Sequence, residues 1–237
     1  MDSSKSGRWK RWLLIAVISA VGLAVVGPYV YIHFIEGKAP APLTLTTTSP
    51  APTTAAASTS RGTFDAEGTW SVADGSQVGY RVKEVIFGQS KEAVGRTSDV
   101  TGTISVAGST IQSATFTADM TSVSSDQSRR DTQFHGRIMN TSTFPTSTFT
   151  LTHPIDVGSI PTEGAAKTYE ATGDFTIHGV TKAVTFSLTG KRSGTTIQVS
   201  GSIPIVFADW GIGNPSFGPV TTEDHGVMEF FLVFQHA

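Results

Sequence analysis

The chain has 237 residues and no cysteine, which excludes disulfides, thiolate catalysis, a lipidated N-terminal Cys and Cys-based metal centres. Only 15% of it is charged, and from Ala39 onward 12 basic residues stand against 17 acidic ones, a net of −5. A mildly acidic body argues against nucleic acid as a partner, and its Thr, Ser and Gly content suits pleated strands and turns.

Lys5, Arg8, Lys10 and Arg11 precede Trp12–Ile35, 24 residues without a formal charge. A helix needs roughly 20 apolar residues to cross a bilayer. The basic flank predicts a cytoplasmic N-terminus over residues 1–11, and Trp9, Trp12, Tyr29 and Tyr31 sit where interfacial aromatics belong. A cleaved signal peptide is the alternative, but its apolar region runs roughly 7–15 residues and ends at a small-residue cleavage site; this run is longer and no A-x-A site follows. The sequence therefore predicts a single-pass anchor over 12–35. Residues 36–60 read as a tether: Ala39–Ser60 is Pro, Ala, Thr and Ser with almost no bulky apolar side chain, too little to offset the entropy of ordering, so disorder is expected. Residues 61–237 form the body, held outside the cytoplasm at the membrane.

From about Gly68 the pattern has period two, the mark of half-buried strands. Successive dry faces are Val78, Tyr80 and Val82; Val100, Gly102, Ile104 and Val106; Phe116, Ala118 and Met120; Phe149 and Leu151; Tyr169, Ala171, Gly173, Phe175 and Ile177; Val184, Phe186 and Leu188; and Ile197 through Ile203, Ile205 and Phe207. Val227–Phe234 is apolar on both faces, as a strand covered on both sides would be. One dry and one wet face per strand, in about eight strands, predicts an all-β antiparallel barrel, with an immunoglobulin-like sandwich as the rival.

Asp126–Met139 breaks this pattern. Arg130, Phe134 and Ile138 recur at helical spacing, so a short helix across one barrel end is expected, capped by Ser124, Ser125 or Asp126. Two readings of Arg129-Arg130-Asp131 stand: a solvated helix face with an internal ion pair, or a cationic rim that orients a polar ligand head. His178-Gly179 lies between two strand-like runs and reads as the bend of a hairpin, with a place at the barrel mouth as the alternative. None of the six histidines falls in H-x-H, HExxH or a carboxylate-rich cluster. No G-x-S-x-G supports a serine nucleophile, and the Gly-rich run at 211–218 has no helix after it to hold a phosphate. The sequence predicts no catalysis, no metal and no cofactor.

Five motifs then occur in order: RRDTQF, IMNTSTFPTSTFTL, GDFTIHGVTKAVTFSL, FADWGI and EDHGVMEFFLVF. Together, over about Gly68–Phe234, they resemble the YceI-like family of exported bacterial proteins with a lipocalin-like barrel. The chain departs from the family pattern at Gln133-Phe134, where His-Leu is usual, at Trp210 within Asp-Phe-Gly, and at Gly75-Ser76, where His-Ser is usual. The resemblance implies non-catalytic binding of a polyisoprenoid or other long-chain lipid inside the barrel. Alternation says only that the inward residues are buried; the resemblance implies that Tyr80, Phe116, Ala118, Phe134, Phe149, Ala171, Gly173, Phe175, Phe186, Ile203 and Phe207 line a lipid tube, with Arg130 and His178 as candidates for a head-group rim. The small inward residues, Gly102, Ala118, Ala171, Gly173 and Gly201, are expected to leave the room for that tube. A barrel packed solid, serving as a structural or adhesive module of the cell envelope, is the competing reading.

Overall fold

The computed structural model describes residues 4–30, 39–45, 64–159 and 162–237. Helix α1 (Ser4–Val30) covers residues 4–11 of the basic segment and 12–30 of the expected anchor; residues 1–3, the anchor's last five residues and tether residues 36–38 and 46–60 lie outside the described residues. No helix among the described residues is long and apolar enough to cross a membrane.

The body is antiparallel throughout. Its strands are β1 (Gly68–Val72), β2 (Gln77–Ile86), β3 (Gln89–Thr97), β4 (Val100–Ala107), β5 (Thr110–Asp119), β6 (Ser124–Ser125), β7 (Thr146–Leu151), β8 (Ile155–Asp156), β9 (Ala166–Ile177), β10 (Val180–Ser193), β11 (Thr196–Val206), β12 (Val220–Thr222) and β13 (His225–His236). Eight of them, in the order β1-β4-β5-β7-β9-β10-β11-β13, close into a ring because β1 pairs with both β4 and β13. Closure removes the exposed edges that a sandwich would keep.

The ring is closed differently at its two ends. β13 pairs with β1 through Val72↔Phe234 and Trp70↔His236, and with β2 through Gln77↔Phe231 to Arg81↔Val227. At the first end β1 is hydrogen-bonded on both sides. At the other end β2 is followed by β3, whose far edge meets only the two residues of β6. The gap there is crossed by α2 (Ser128–Gln133) and a five-residue π-helical turn, Phe134–Ile138.

The closed end is filled by large side chains. Trp70 and Phe234 are each 1% exposed. Trp70 donates its indole N–H to Ala66 O at 2.9 Å and lies between Phe64 and His236. At the opposite end the β9–β10 hairpin turns at His178 (φ 52°) and Gly179 (φ 75°). Two consecutive left-handed residues give the turn whose twist matches that of antiparallel strands. Gly179 is further fixed by space, since a Cβ there would lie 2.5 Å from the Phe144 ring.

Two expectations change, and one strand is not visible in the sequence. The helix cap is not Ser124, Ser125 or Asp126: the N-cap position is Gln127, which makes no side-chain cap. Asp131 instead reaches back to accept from the Ser125 N–H (2.9 Å) and hydroxyl (2.6 Å), while Asp126 pairs with Arg130. The tether is not free along its whole length: Leu43 is buried, and residues 40–45 bond to the outer barrel wall. Finally, β3 carries no alternation visible in sequence, because its dry-face residues are Ala93 and Gly95.

Candidate functional site: an apolar cavity under the open end

Two hollows stand out among the described residues of the barrel. The larger, about 650 Å³, lies under the open end between β2, β3, α2, the π-turn and the 211–220 loop. Its volume is in the range of ligand pockets. The smaller, about 130 Å³, lies deeper, toward the closed end. Met228 borders both.

The residues expected to line one tube divide between them. Tyr80, Phe134 and Phe207 line the larger cavity, as does Arg130. Phe116, Ala118, Phe149, Ala171, Phe175, Phe186 and Ile203 surround the smaller one. Gly173 borders neither: a Cβ on it would lie 2.4 Å from Thr150 O and 2.5 Å from the Phe149 ring. The inward glycines therefore do not open a tube. Gly102, Gly201 and Gly95 each sit directly across the ladder from an aromatic residue, Phe116, Phe230 and Tyr80, and a Cβ on any of them would collide with that ring. The missing side chains are occupied by neighbouring rings. His178 also lines neither hollow; its Nδ1 lies 3.2 Å from Trp210 O and its ring packs edge-on to Phe144.

Part of the larger cavity's wall is made of side chains that alternation does not show. Phe87 reaches it from the β2–β3 turn, Ile138 from the π-turn, and Ile212 and Phe217 from the loop after β11. The stretch 211–218, read from sequence as a poor phosphate loop, is one wall of the mouth. Arg137 fastens that wall to the π-turn by donating to Asn214 O (3.3 Å) and Pro215 O (2.8 Å). π-turns often mark functional sites; here Phe134 and Ile138, four residues apart, both line the cavity while Arg137 stays outside.

The polar part of the cavity is small. Glu84, buried on β2, accepts from Arg130 Nη2 at 3.1 Å, and Arg130 also pairs with Asp126. Burial alone would lower the Arg130 pKa, but Glu84 and Asp126 outweigh it and hold the guanidinium above its ordinary value. Arg130 is thus ion-paired with Glu84 and Asp126 rather than with Asp131, and it lines the cavity. Tyr80 lies beside it, stacked on Phe134 with ring centroids 4.9 Å apart, and its phenol is held well above the usual range, chiefly by burial. Among the described residues no group of three or more His, Asp or Glu stands close enough to hold a metal ion.

The YceI-like domain model matches residues 53–234. The chain belongs to the YceI-like family. Its fold is similar to that of a polyisoprenoid binding domain from Saccharophagus degradans implicated in plant cell wall breakdown, at 18% identity and a TM-score of 0.57, covering 71% of this chain and 98% of that one. It is also similar to BcnA of Burkholderia cenocepacia, at 23% identity and a TM-score of 0.53, covering 67% of this chain and 95% of that one. No curated protein sequence matches the chain.

Proposed function

We propose that this YceI-like barrel binds a long-chain lipid, of the polyisoprenoid class, without catalysis. The observation that carries the reading is the apolar cavity of about 650 Å³ under the open end. Each methylene moved from water into such a cavity stabilises the complex by about 0.8 kcal/mol, so a branched hydrocarbon chain binds without any covalent step. Glu84 and Arg130 offer one acceptor and one donor group at the chamber wall, suited to orient a polar head. The polyisoprenoid binding named for the Saccharophagus degradans domain supports the same class of ligand. The solid-core alternative describes the closed end but leaves the larger cavity without a use.

The proposal extends to location. Lys5, Arg8, Lys10 and Arg11 followed by 24 uncharged residues support a single-pass anchor, with the N-terminus in the cytoplasm and the barrel on the extracytoplasmic side. This part rests on the sequence alone.

The test is extraction and mass analysis of small molecules from the purified full-length chain, alongside Ala93→Phe. Ala93 is a small, buried residue on the wall of the larger cavity, where a phenyl ring fills ligand space. The expected result is an isoprenoid-type lipid in the wild type, absent from the variant, at similar melting temperatures. A wild-type chain that neither carries nor takes up any long-chain lipid refutes the reading.

A further inference from the structure

We infer that the open end of the barrel docks face-on against the bilayer, held in that orientation by residues 39–45, which are bound as an extended strap along the outer wall. The inference rests on the anchor proposed above and goes beyond it, because a tether by itself leaves orientation free.

The strap has a built receptor. Glu229 is 4% exposed although it points to the outside of β13. It accepts from Arg81 Nε (3.2 Å) and from Arg96 Nη2 (2.7 Å), and also from the Leu43 N–H (3.4 Å). Both guanidiniums also reach the strap: Arg81 Nη2 donates to Pro40 O at 2.8 Å, and Arg96 Nη2 donates to Ala41 O, while Arg81 Nη1 donates to Glu92 at 2.7 Å. Proline suits this place. Pro40 and Pro42 bring carbonyls without N–H groups that would need partners among cations. Pro-Ala-Pro recurs at 50–52, but there Thr53 stands where Leu43 follows the first copy. Leu43 is buried, so this leucine seats the strap.

The ladder gives the strap a direction. Arg81 pairs with Val227 of β13, near the open end. Lys191, which donates to Leu45 O at 3.3 Å, pairs with Gln198, and Gln198 with Val233, six residues farther toward the closed end. The chain therefore reaches the barrel on its open side and runs toward the closed one. Only residues 31–38 separate Val30 of α1 from Ala39, a span of about 30 Å at full extension. Gly27 of α1 borders the same cavity mouth.

The rim itself fits a lipid surface. Phe87 at the β2–β3 turn is 54% exposed and Phe217 on the facing loop 49%. The guanidiniums of Arg129 and Arg137 lie 5.7 and 5.8 Å from the Phe217 ring centroid. Exposed aromatics flanked by arginines suit the boundary between acyl chains and head groups. A ligand would pass between bilayer and cavity without crossing water.

The absence of cysteine allows single spin labels on the full-length chain, at Ser90→Cys beside the open-end turn and at Thr195→Cys in the closed-end turn. In phosphatidylcholine vesicles containing a nickel-chelating lipid, the label at 90 is expected to relax several-fold faster than that at 195. Leu43→Asp, or Phe87→Asp with Phe217→Asp, should abolish the difference while the protein still co-floats with the vesicles. Equal relaxation of the two labels in otherwise wild-type protein overturns the docking inference and leaves the anchor standing. Failure to co-float refutes the anchor and the docking with it. Hydrogen exchange reads the strap directly: protection at the Leu43 amide is expected, and exchange at the free-peptide rate overturns the strap.

Discussion

The two ends of this barrel are made from the same strands by different means. At the closed end β1 is laddered on both sides, and Trp70 and Phe234 fill the space inside. At the open end the sheet loses its partner beyond β3, and a six-residue helix, a π-turn and a long loop take over. Ladder and packing give stability at one end. At the other, irregular backbone holds apolar side chains apart and leaves a chamber. Stability and ligand binding should therefore separate along the barrel axis, and substitutions can test whether they do.

The largest effect is expected at Trp70. Trp70→Ala removes a fully buried ring and leaves Ala66 O without its donor, a loss of about 3–5 kcal/mol. Denaturant unfolding should report it, while lipid carriage by the folded fraction stays unchanged. Loss of binding at full folding would break the division. Gly173→Ala comes next. Its Cβ must displace Thr150 O or the Phe149 ring, and overpacking of this kind costs about 1–3 kcal/mol; an unchanged melting temperature would show that the inward glycines border open space after all.

A matched pair sharpens the comparison. Ala171→Phe enlarges a residue at the small deep hollow and should destabilise by about 1–3 kcal/mol, whereas Ala93→Phe fills the large chamber at much less than that and abolishes binding. Equal destabilisation by both would mean that the chamber is not open. Met228 borders both hollows, and methionine is a side chain well able to move aside. Met228→Ala should join them and raise affinity for longer chains over shorter ones by a few-fold in competition binding; an unchanged preference would show the deep hollow to be out of reach. The smallest effect concerns pH. The Asp119 carboxyl is held below its ordinary range, first by the Thr121 hydroxyl and then by the Thr121 N–H. A depressed folded pKa adds stability above the unfolded value that is lost as pH falls through the folded one. Asp119→Asn keeps the cap and removes the titration, so melting curves below about pH 4 should be slightly flatter than those of the wild type.

Much of this was legible in the chain. Strand positions, the antiparallel barrel, the helix after Asp126 and the hairpin at His178-Gly179 follow from period-two alternation, helical spacing and turn chemistry, because each is set by neighbours within a few residues. β3 was not legible, since Ala93 and Gly95 leave no apolar alternation; the size of Gly95 answers to the Tyr80 ring across the ladder, which sequence does not place beside it. The strap was hidden for a similar reason. Leu43 looks like a stray residue in a polar tract until Arg81, Arg96 and Glu229, from three strands, gather opposite it.

The candidate site divides along the same line. By itself the sequence determined which faces are dry, because burial of alternate side chains is a local periodicity. It could not determine whether those faces meet. The glycines that suggest a tube are filled by rings from adjacent strands, and the chamber is walled by Phe87, Ile138 and Phe217, which follow no strand period. Where space remains inside a barrel depends on the relative heights of side chains from several strands and on what crosses the gap beside β3, and only the tertiary structure brings those together.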